Sequence, residues 1–401
     1  MFVLALESID MDTNEVLTRG VEQILPSKTG LSSLMGKRKI RLYQGFDPSA
    51  PSLHLGNFVG LMKLRQFQKL GHEVIFLVGD FTGMIGDPTD KNAARPKLTR
   101  EKVLENAKAW KKQASMLLDF EGKNPAKIMF NSEWSDKITF KDLIEITSNL
   151  TVQQMIERDM FQKRIKDKEP IYLHEFLYPV AQGYDSVEME VDLEIGGNDQ
   201  LFNMMAGRTL MKAIKNKEKY VLTMKLLVDK DGRKVGKTTG NALFLDSKPT
   251  DFYAGIMSFP DEVIYLAFEL LTEVDLKGLE EEIKKDPLKE KKRLAFEIVK
   301  LLWGENEAIN GKESFENTFQ KKEMPKDIKT VGIDLAQINL LDLVFATKMV
   351  SSRSEAKRLI QQNAVEVNGK AVSDPNESVE IDKNGISLKI GKTKFVRIIS
   401  K

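Results

Sequence analysis

The chain has 401 residues, 30% charged and 41% hydrophobic, with a formal net charge of +2. That is enough for two or three domains with sizeable cores, and no global field announces nucleic acid. Cysteine is absent, which excludes disulfides and thiolate zinc sites and fits a reducing compartment. The only histidines are His54, His72 and His174, a poor basis for a triad hydrolase or a histidine-rich metal site. Chemistry by positioning and charge neutralisation fits better.

The start, MFVLALESIDMDTNE, is apolar for six residues and then acidic. It lacks the basic region and length of a signal peptide, and no apolar run reaches membrane-spanning length, so a cytoplasmic protein is expected. Residues 1–40 read as a helical lead-in. Leu42, Tyr43 and Phe46 suit a short buried strand closed by Pro48 and Pro51. Ser52 is the expected N-cap of the next helix, with His54-Leu55-Gly56-Asn57 in its first turn. Leu61, Leu64, Phe67 and Leu70 then mark an amphipathic helix. A histidine and a glycine thus stand at a helix N-terminus beside the carboxyl end of a strand, where backbone N–H groups and the helix dipole favour phosphate. A buried histidine in an ordinary turn is the plain alternative.

The apolar run Glu73–Val78 reads as a buried parallel strand and ends in the glycine-rich GDFTGMIGDPTDKNAAR, which carries Lys91 and Arg95. Strand, helix and strand at this spacing form a βαβ unit, so the N-terminal part is expected to be a doubly wound α/β fold. KIMFNSEW (127–134) is a third strand candidate, and 139–190 reads as several helices. One of these sets Tyr178, Gln182 and Asp185 on one face, with Pro179 marking a first turn or a kink. VDLEIGGNDQ (191–200) and KYVLTMKLLV (219–228) are further strands. The methionine face of the helix between them reads as core. In DKDGRKVGKTTGN the phosphate-loop pattern fails, because Asp231 stands where its first glycine belongs. A loop placing Lys234 and Lys237 on a polyphosphate remains open, against a solvated hairpin tip.

Residues 251–320 are helical and charged, and 321–336 lose periodicity around Pro325 and Gly332. From Lys348 to Lys401 there are eleven Lys and Arg against six Asp and Glu. Ser352 can cap a helix that sets Arg353 and Lys357 on one face near Lys348 and Arg358, and Asn368-Gly369 signals a hairpin. A small basic helix-plus-hairpin module is one reading, and a solvated charged helix is the other.

Taken in order, these segments resemble bacterial tyrosyl-tRNA synthetases of class I, from about residue 40 to the end. HLGN (54–57) and KVGKT (234–238) look like the two class signatures, with YQGFDPSAPSLHLG, GDFTGMIGDPT, YPVAQGYD and GGNDQ between them. The resemblance implies a Rossmann-type catalytic domain with a helical insertion at 1–230 and a signature loop with a helical domain at 231–320. It further implies a linker at 321–337 and an S-four-like RNA-binding domain at 338–401. ATP would be a substrate, with Mg2+ carried on its phosphates. L-tyrosine and tRNA(Tyr) would be the other partners, and the protein a homodimer.

By the same resemblance, Ser49, His54, Gly56 and Asn57 would hold phosphates and adenosine. Lys234, Lys237 and Thr238 would close on the β- and γ-phosphates, Lys91 and Arg95 would meet pyrophosphate, and Gly197 and Asp199 the ribose. Asp87, Tyr178 and Gln182, with Gln200, would take the amino-acid side. Tyr43 with Asp185 would take the phenol hydroxyl, and Lys348, Arg353, Lys357 and Arg358 would contact tRNA. A pair built for a hydroxyl rejects phenylalanine, roughly 10⁵-fold in this same enzyme class, a value borrowed from it. This sequence departs from the family at Asn57, where a second histidine is usual, at KVGKT in place of KMSKS, at Asp90 in place of glycine, and at Asn363 in place of glycine before a strand. A tryptophan-specific sibling is disfavoured by the Tyr43/Asp185 pair. A non-enzymatic RNA-binding factor is disfavoured by the intact Lys234, Lys237, Asp87 and Asp185.

Overall fold

A computed structural model describes residues 12–88, 98–236, 243–317, 329–333, 337–381, 385–391 and 394–400. They fall into two units, one reaching to Ala308 and one starting at Ile309. The first is built on a six-stranded sheet of β1 (Val21–Leu25), β2 (Arg41–Phe46), β3 (Glu73–Val78), β4 (Lys127–Phe130), β5 (Leu193–Gly197) and β6 (Tyr220–Met224). Their order is β1-β6-β5-β2-β3-β4. Strands β2 to β6 are parallel, and β1 joins the edge antiparallel to β6. The chain winds outward from the β2/β5 junction in both directions, which opens a crevice at the carboxyl ends of those two strands. The doubly wound expectation holds.

Local readings needed revision. The lead-in contains β1, whose partner lies about 200 residues away, so no local periodicity marks it. KIMFNSEW is a strand only to Phe130, and Ser132–Ser135 turns helical. The 219–228 run is a strand only over Tyr220–Met224. The helix after β2 is Leu55–Lys69, and its N-cap is His54, not Ser52. The Ser52 hydroxyl goes instead to Asp246. This helix is not amphipathic in the ordinary sense, since it buries Lys63, Gln66 and Gln68 along with Leu61, Leu64 and Phe67. The reason lies in polar satisfaction. Lys63 Nζ donates to the carbonyls of Val16 and Arg19 at 2.7 and 2.8 Å, and Gln68 is tied to the backbone of Asp119 and Asn124. Pro179 lies inside the Leu173–Glu188 helix, neither in its first turn nor ending it.

The second unit has its own apolar core, including Leu340, Leu343, Ala356, Ile360, Leu388 and Val396. Strands β7 (Lys329–Ile333), β8 (Gln337–Asn339), β9 (Val365–Val367), β10 (Lys370–Ala371), β11 (Ser378–Glu380), β12 (Ile386–Ile390) and β13 (Lys394–Ser400) make a five-stranded sheet, β10-β9-β12-β13-β7, and a β8–β11 pair. Strand β7 and the first residue of β8 fall in the stretch expected to be linker at 321–337. β7 pairs in parallel with β13, so that part belongs to the second unit's sheet. The helices between Pro249 and Trp303 lie within the first unit. The Asn368-Gly369 turn has positive φ at both residues, 48° and 79°, as a two-residue hairpin requires, and Asn363 takes the left-handed conformation at 55°. Lys348, Arg353, Lys357 and Arg358 are all exposed, and Arg353 pairs with Asp342.

Candidate active site

A cavity of about 720 Å³ opens at the carboxyl ends of the strands. Tyr43, Ser49, His54, Gly56, Asn57, Asp87, Tyr178, Gln182, Asp185, Gly197, Asp199, Gln200 and Lys234 all line it. The expected site residues among the described ones thus converge, the exposed basic set of the second unit aside. Lys91, Arg95, Lys237 and Thr238 lie outside the described residues.

One end of the cavity is receptive to anions. His54 Nδ1 accepts the N–H groups of Gly56 and Asn57, and the Asn57 side chain returns the bond by accepting the His54 N–H at 2.9 Å. This reciprocal cap commits the Asn57 amide oxygen and leaves its NH2 as the donor for a ligand. The segment that follows the second signature is joined by backbone to the first signature and the residue before it. Leu55 N donates to Leu243 O at 2.9 Å and Leu245 N to Leu53 O at 2.8 Å. Gly236 has φ of +77°, a conformation that favours glycine, and a Cβ there would meet the Leu55 side chain at 2.9 Å, so the second signature packs closely on the first helix turn. Lys234 Nζ lies 2.7 Å from Asp199 Oδ2. The residues expected on phosphate and ribose therefore hold each other in this structure.

The other end is acidic and buried. Asp185 is 2% exposed and accepts from Trp134 Nε1 at 2.9 Å and Asn131 Nδ2 at 3.2 Å. Burial pushes its carboxyl well above the usual range, as do nearby Glu194 and Asp47, while the two donors pull it back. Burial, then Glu194 and Asp185, pushes the Tyr43 phenol up. Tyr43 hydrogen-bonds to Ser186 Oγ at 2.9 Å. Tyr178 donates to Asp47 Oδ2 at 2.8 Å, and Asp47 Oδ1 accepts from Thr82 at 2.6 Å. Gln200 donates to Asp87 at 2.7 Å, and Gln182 to Glu194 at 2.9 Å.

Residues 35–320 match the family model of class I tRNA synthetases of the tryptophan and tyrosine type. A tyrosine–tRNA ligase of Aquifex aeolicus is 42% identical over 387 residues, 96% of this chain and 98% of that one. The chain belongs to the tyrosine–tRNA ligase family. A tyrosine–tRNA ligase of Thermotoga maritima is 41% identical, covering 96% of each chain. A C-terminally truncated mitochondrial tyrosyl-tRNA synthetase of Coccidioides posadasii superposes with a TM-score of 0.63 at 26% identity, over 75% of this chain and 90% of that one. Residues 339–383 match the S4 domain.

Three lining residues, Asp47, Asn131 and Glu194, escaped the sequence reading, as did Trp134, which bonds Asp185. Asp47 directly follows β2, and its place in FDPS was a usable signal. Asn131 and Trp134 follow β4, where the apolar pattern had been read as continuing strand. Glu194 lies within β5 and looked like one polar residue in an apolar run. Among the described residues no helix is long and apolar enough to cross a membrane.

Proposed function

We propose that this chain activates L-tyrosine with ATP to tyrosyl-adenylate and transfers the tyrosyl group to tRNA(Tyr), releasing AMP and diphosphate. The observation that carries this reading is the chemical polarity of the cavity. His54, Gly56 and Lys234 stand at the helix N-terminus side, while the buried Asp185 lies in the acidic part. The tyrosine carboxylate, already ionised, attacks the α-phosphate, and diphosphate leaves. No general base is required, so the chain's work is to align the two reactants and stabilise the charge that develops.

In this reading Asp87, Tyr178, Gln182 and Gln200 receive the ammonium end of tyrosine, and Tyr43 and Asp185 the phenol. Gly197 and Asp199 take the ribose. Ser49, His54, Gly56, Asn57, Lys234, Lys237 and Thr238 hold the nucleotide, Lys91 and Arg95 meet the departing diphosphate, and Mg2+ arrives on ATP. The exposed Lys348, Arg353, Lys357 and Arg358 of the S4 unit grip tRNA through phosphates and RNA shape.

We also propose a cytoplasmic homodimer. Phe140, Ile144, Val152, Tyr172 and Leu173 are exposed within one stretch of the first unit, an apolar surface that a second copy would cover. Light scattering is expected to return twice the chain mass, and Phe140→Asp with Leu173→Asp to return the monomer. Tyrosine-dependent ATP–pyrophosphate exchange tests the main reading. Exchange with tyrosine and none with tryptophan is expected, and a purified, folded protein without tyrosine-dependent exchange would refute it.

A further inference from the structure

Beneath the amino-acid end of the cavity lies a charged pair for which the reaction has no direct use. Lys219, immediately before β6, is 0% exposed, and Glu194 on β5 is 1% exposed. Lys219 Nζ donates to Glu194 and, at 3.1 Å, to the carbonyl of Met204. The fold makes room for this head group. A Cβ on Gly207 would lie 2.5 Å from Lys219 Nζ and 2.9 Å from Ser186 Oγ, so only glycine lets the 201–215 helix cross at this distance.

Glu194 also reaches the cavity wall by two arms. Its Oε1 accepts the Gln182 amide at 2.9 Å. Its Oε2 lies 3.4 Å from Ser186 Oγ, which in turn bonds the Tyr43 hydroxyl at 2.9 Å. Gln182 and Tyr43 line the cavity, whereas Lys219 does not. An ionised carboxylate only accepts hydrogen bonds, so it dictates which way the Gln182 amide faces. The nitrogen must point to Glu194, leaving the oxygen for a ligand ammonium. Without its cation this buried carboxylate would be an uncompensated charge in the interior, and the Lys219 head group is what holds it in place as an acceptor.

We infer that Lys219 is a positioning residue: by holding Glu194 as an acceptor it orients Gln182 and Tyr43 toward tyrosine. The inference rests on the functional reading above. Replacing Lys219→Met in the full-length protein should raise the KM for tyrosine by about tenfold, the effect of one misdirected hydrogen bond to a charged group. The KM for ATP should stay within about twofold of the wild type. Adding Glu194→Gln should return the tyrosine KM most of the way. The new amide oxygen can accept from Gln182, and its nitrogen can donate to the Met204 carbonyl that Lys219 vacated.

Ser186→Ala introduces no unpaired charge and keeps the test alive if Lys219→Met does not fold. It should lower the tyrosine-over-phenylalanine preference about threefold or more without moving the ATP KM. The inference is overturned if Lys219→Met shifts both KM values together or neither, or if the double variant is no better than the single. It is overturned equally if Ser186→Ala leaves the preference unchanged. A wild-type protein without tyrosine-dependent exchange would instead refute the functional reading, which separates the two failures.

Discussion

Replacing Asp185→Asn tests the amino-acid end of the cavity most directly. The carboxylate is 2% exposed and already accepts from Trp134 at 2.9 Å and Asn131 at 3.2 Å. A tyrosine phenol would be the third donor, and two carboxylate oxygens have the lone pairs to accept all three. An asparagine has one acceptor oxygen and an NH2 that must face one of these donors. The phenol therefore loses a bond to a charged acceptor, worth roughly 1.5–3 kcal/mol, or about 10–10²-fold in kcat/KM for tyrosine. Phenylalanine has no hydroxyl to lose, so its kcat/KM should hardly move and the Tyr/Phe ratio should fall by the same factor. Turning the NH2 toward one of Trp134 and Asn131 should also lower stability by about 1–3 kcal/mol, which thermal unfolding checks separately. Pyrophosphate exchange with each amino acid measures the ratio. A folded Asp185→Asn enzyme with an unchanged Tyr/Phe ratio would refute the phenol assignment, whatever its absolute rate.

Other perturbations probe the remaining parts. Lys237→Ala should slow tyrosyl-adenylate formation by about 10²–10³ in stopped flow and leave equilibrium tyrosine binding unchanged, and a loss confined to tyrosine binding would contradict the loop's role. Removing residues 318–401 should keep amino-acid activation and abolish tRNA charging at ordinary salt, while loss of both in a folded protein would sink the modular reading. Burial and nearby Arg19 bring the Lys63 ammonium down to about 7 from 10.5. Between those values the unfolded chain binds the proton and the folded chain does not, so stability rises with pH across that window, by at most about 5 kcal/mol. Urea unfolding of wild type and Lys63→Met at pH 7 and 9.5 should show the wild type gaining relative to the variant; parallel behaviour would place the proton elsewhere.

What the sequence made legible was what local chemistry controls. The apolar run of β3, the spacing that sets Tyr178, Gln182 and Asp185 on one helix, and the Asn368-Gly369 turn each depend on near neighbours, and each reads correctly. What stayed hidden depends on partners distant in sequence. The pairings of β1 with β6 and β7 with β13 are such cases, and short edge strands carry little periodicity of their own. The Leu55–Lys69 helix misled for the same reason. Lys63 and Gln68 look solvated in sequence, yet backbone carbonyls from other segments satisfy them in the interior. Trp134 reads as the end of a strand candidate, and only the fold aims its N–H at Asp185.

The site residues share a second property that no single motif displays. Glu194 and Asp47 press electrostatically on Asp185 at the cavity wall, as the raised Asp185 carboxyl reports. Neutral donors from Trp134, Asn131, Thr82 and Tyr178 satisfy their oxygens, and Lys219 supplies a cation against Glu194. Neutral donors offset part of the desolvation cost but leave the negative potential in place, whereas a cation on every carboxylate would erase it. A ligand bearing an ammonium and a hydroxyl proton brings what this end lacks. A polyanion is repelled from it and drawn toward Lys234 and the helix N-terminus. Under the proposed function, the cavity would orient two reactants before any contact is specific: the amino acid would enter with its positive group toward the carboxylates, and the triphosphate would lie the other way. In-line attack of one on the other needs that relative placement, and the charge segregation supplies it from residues fixed on the sheet and the 173–188 helix.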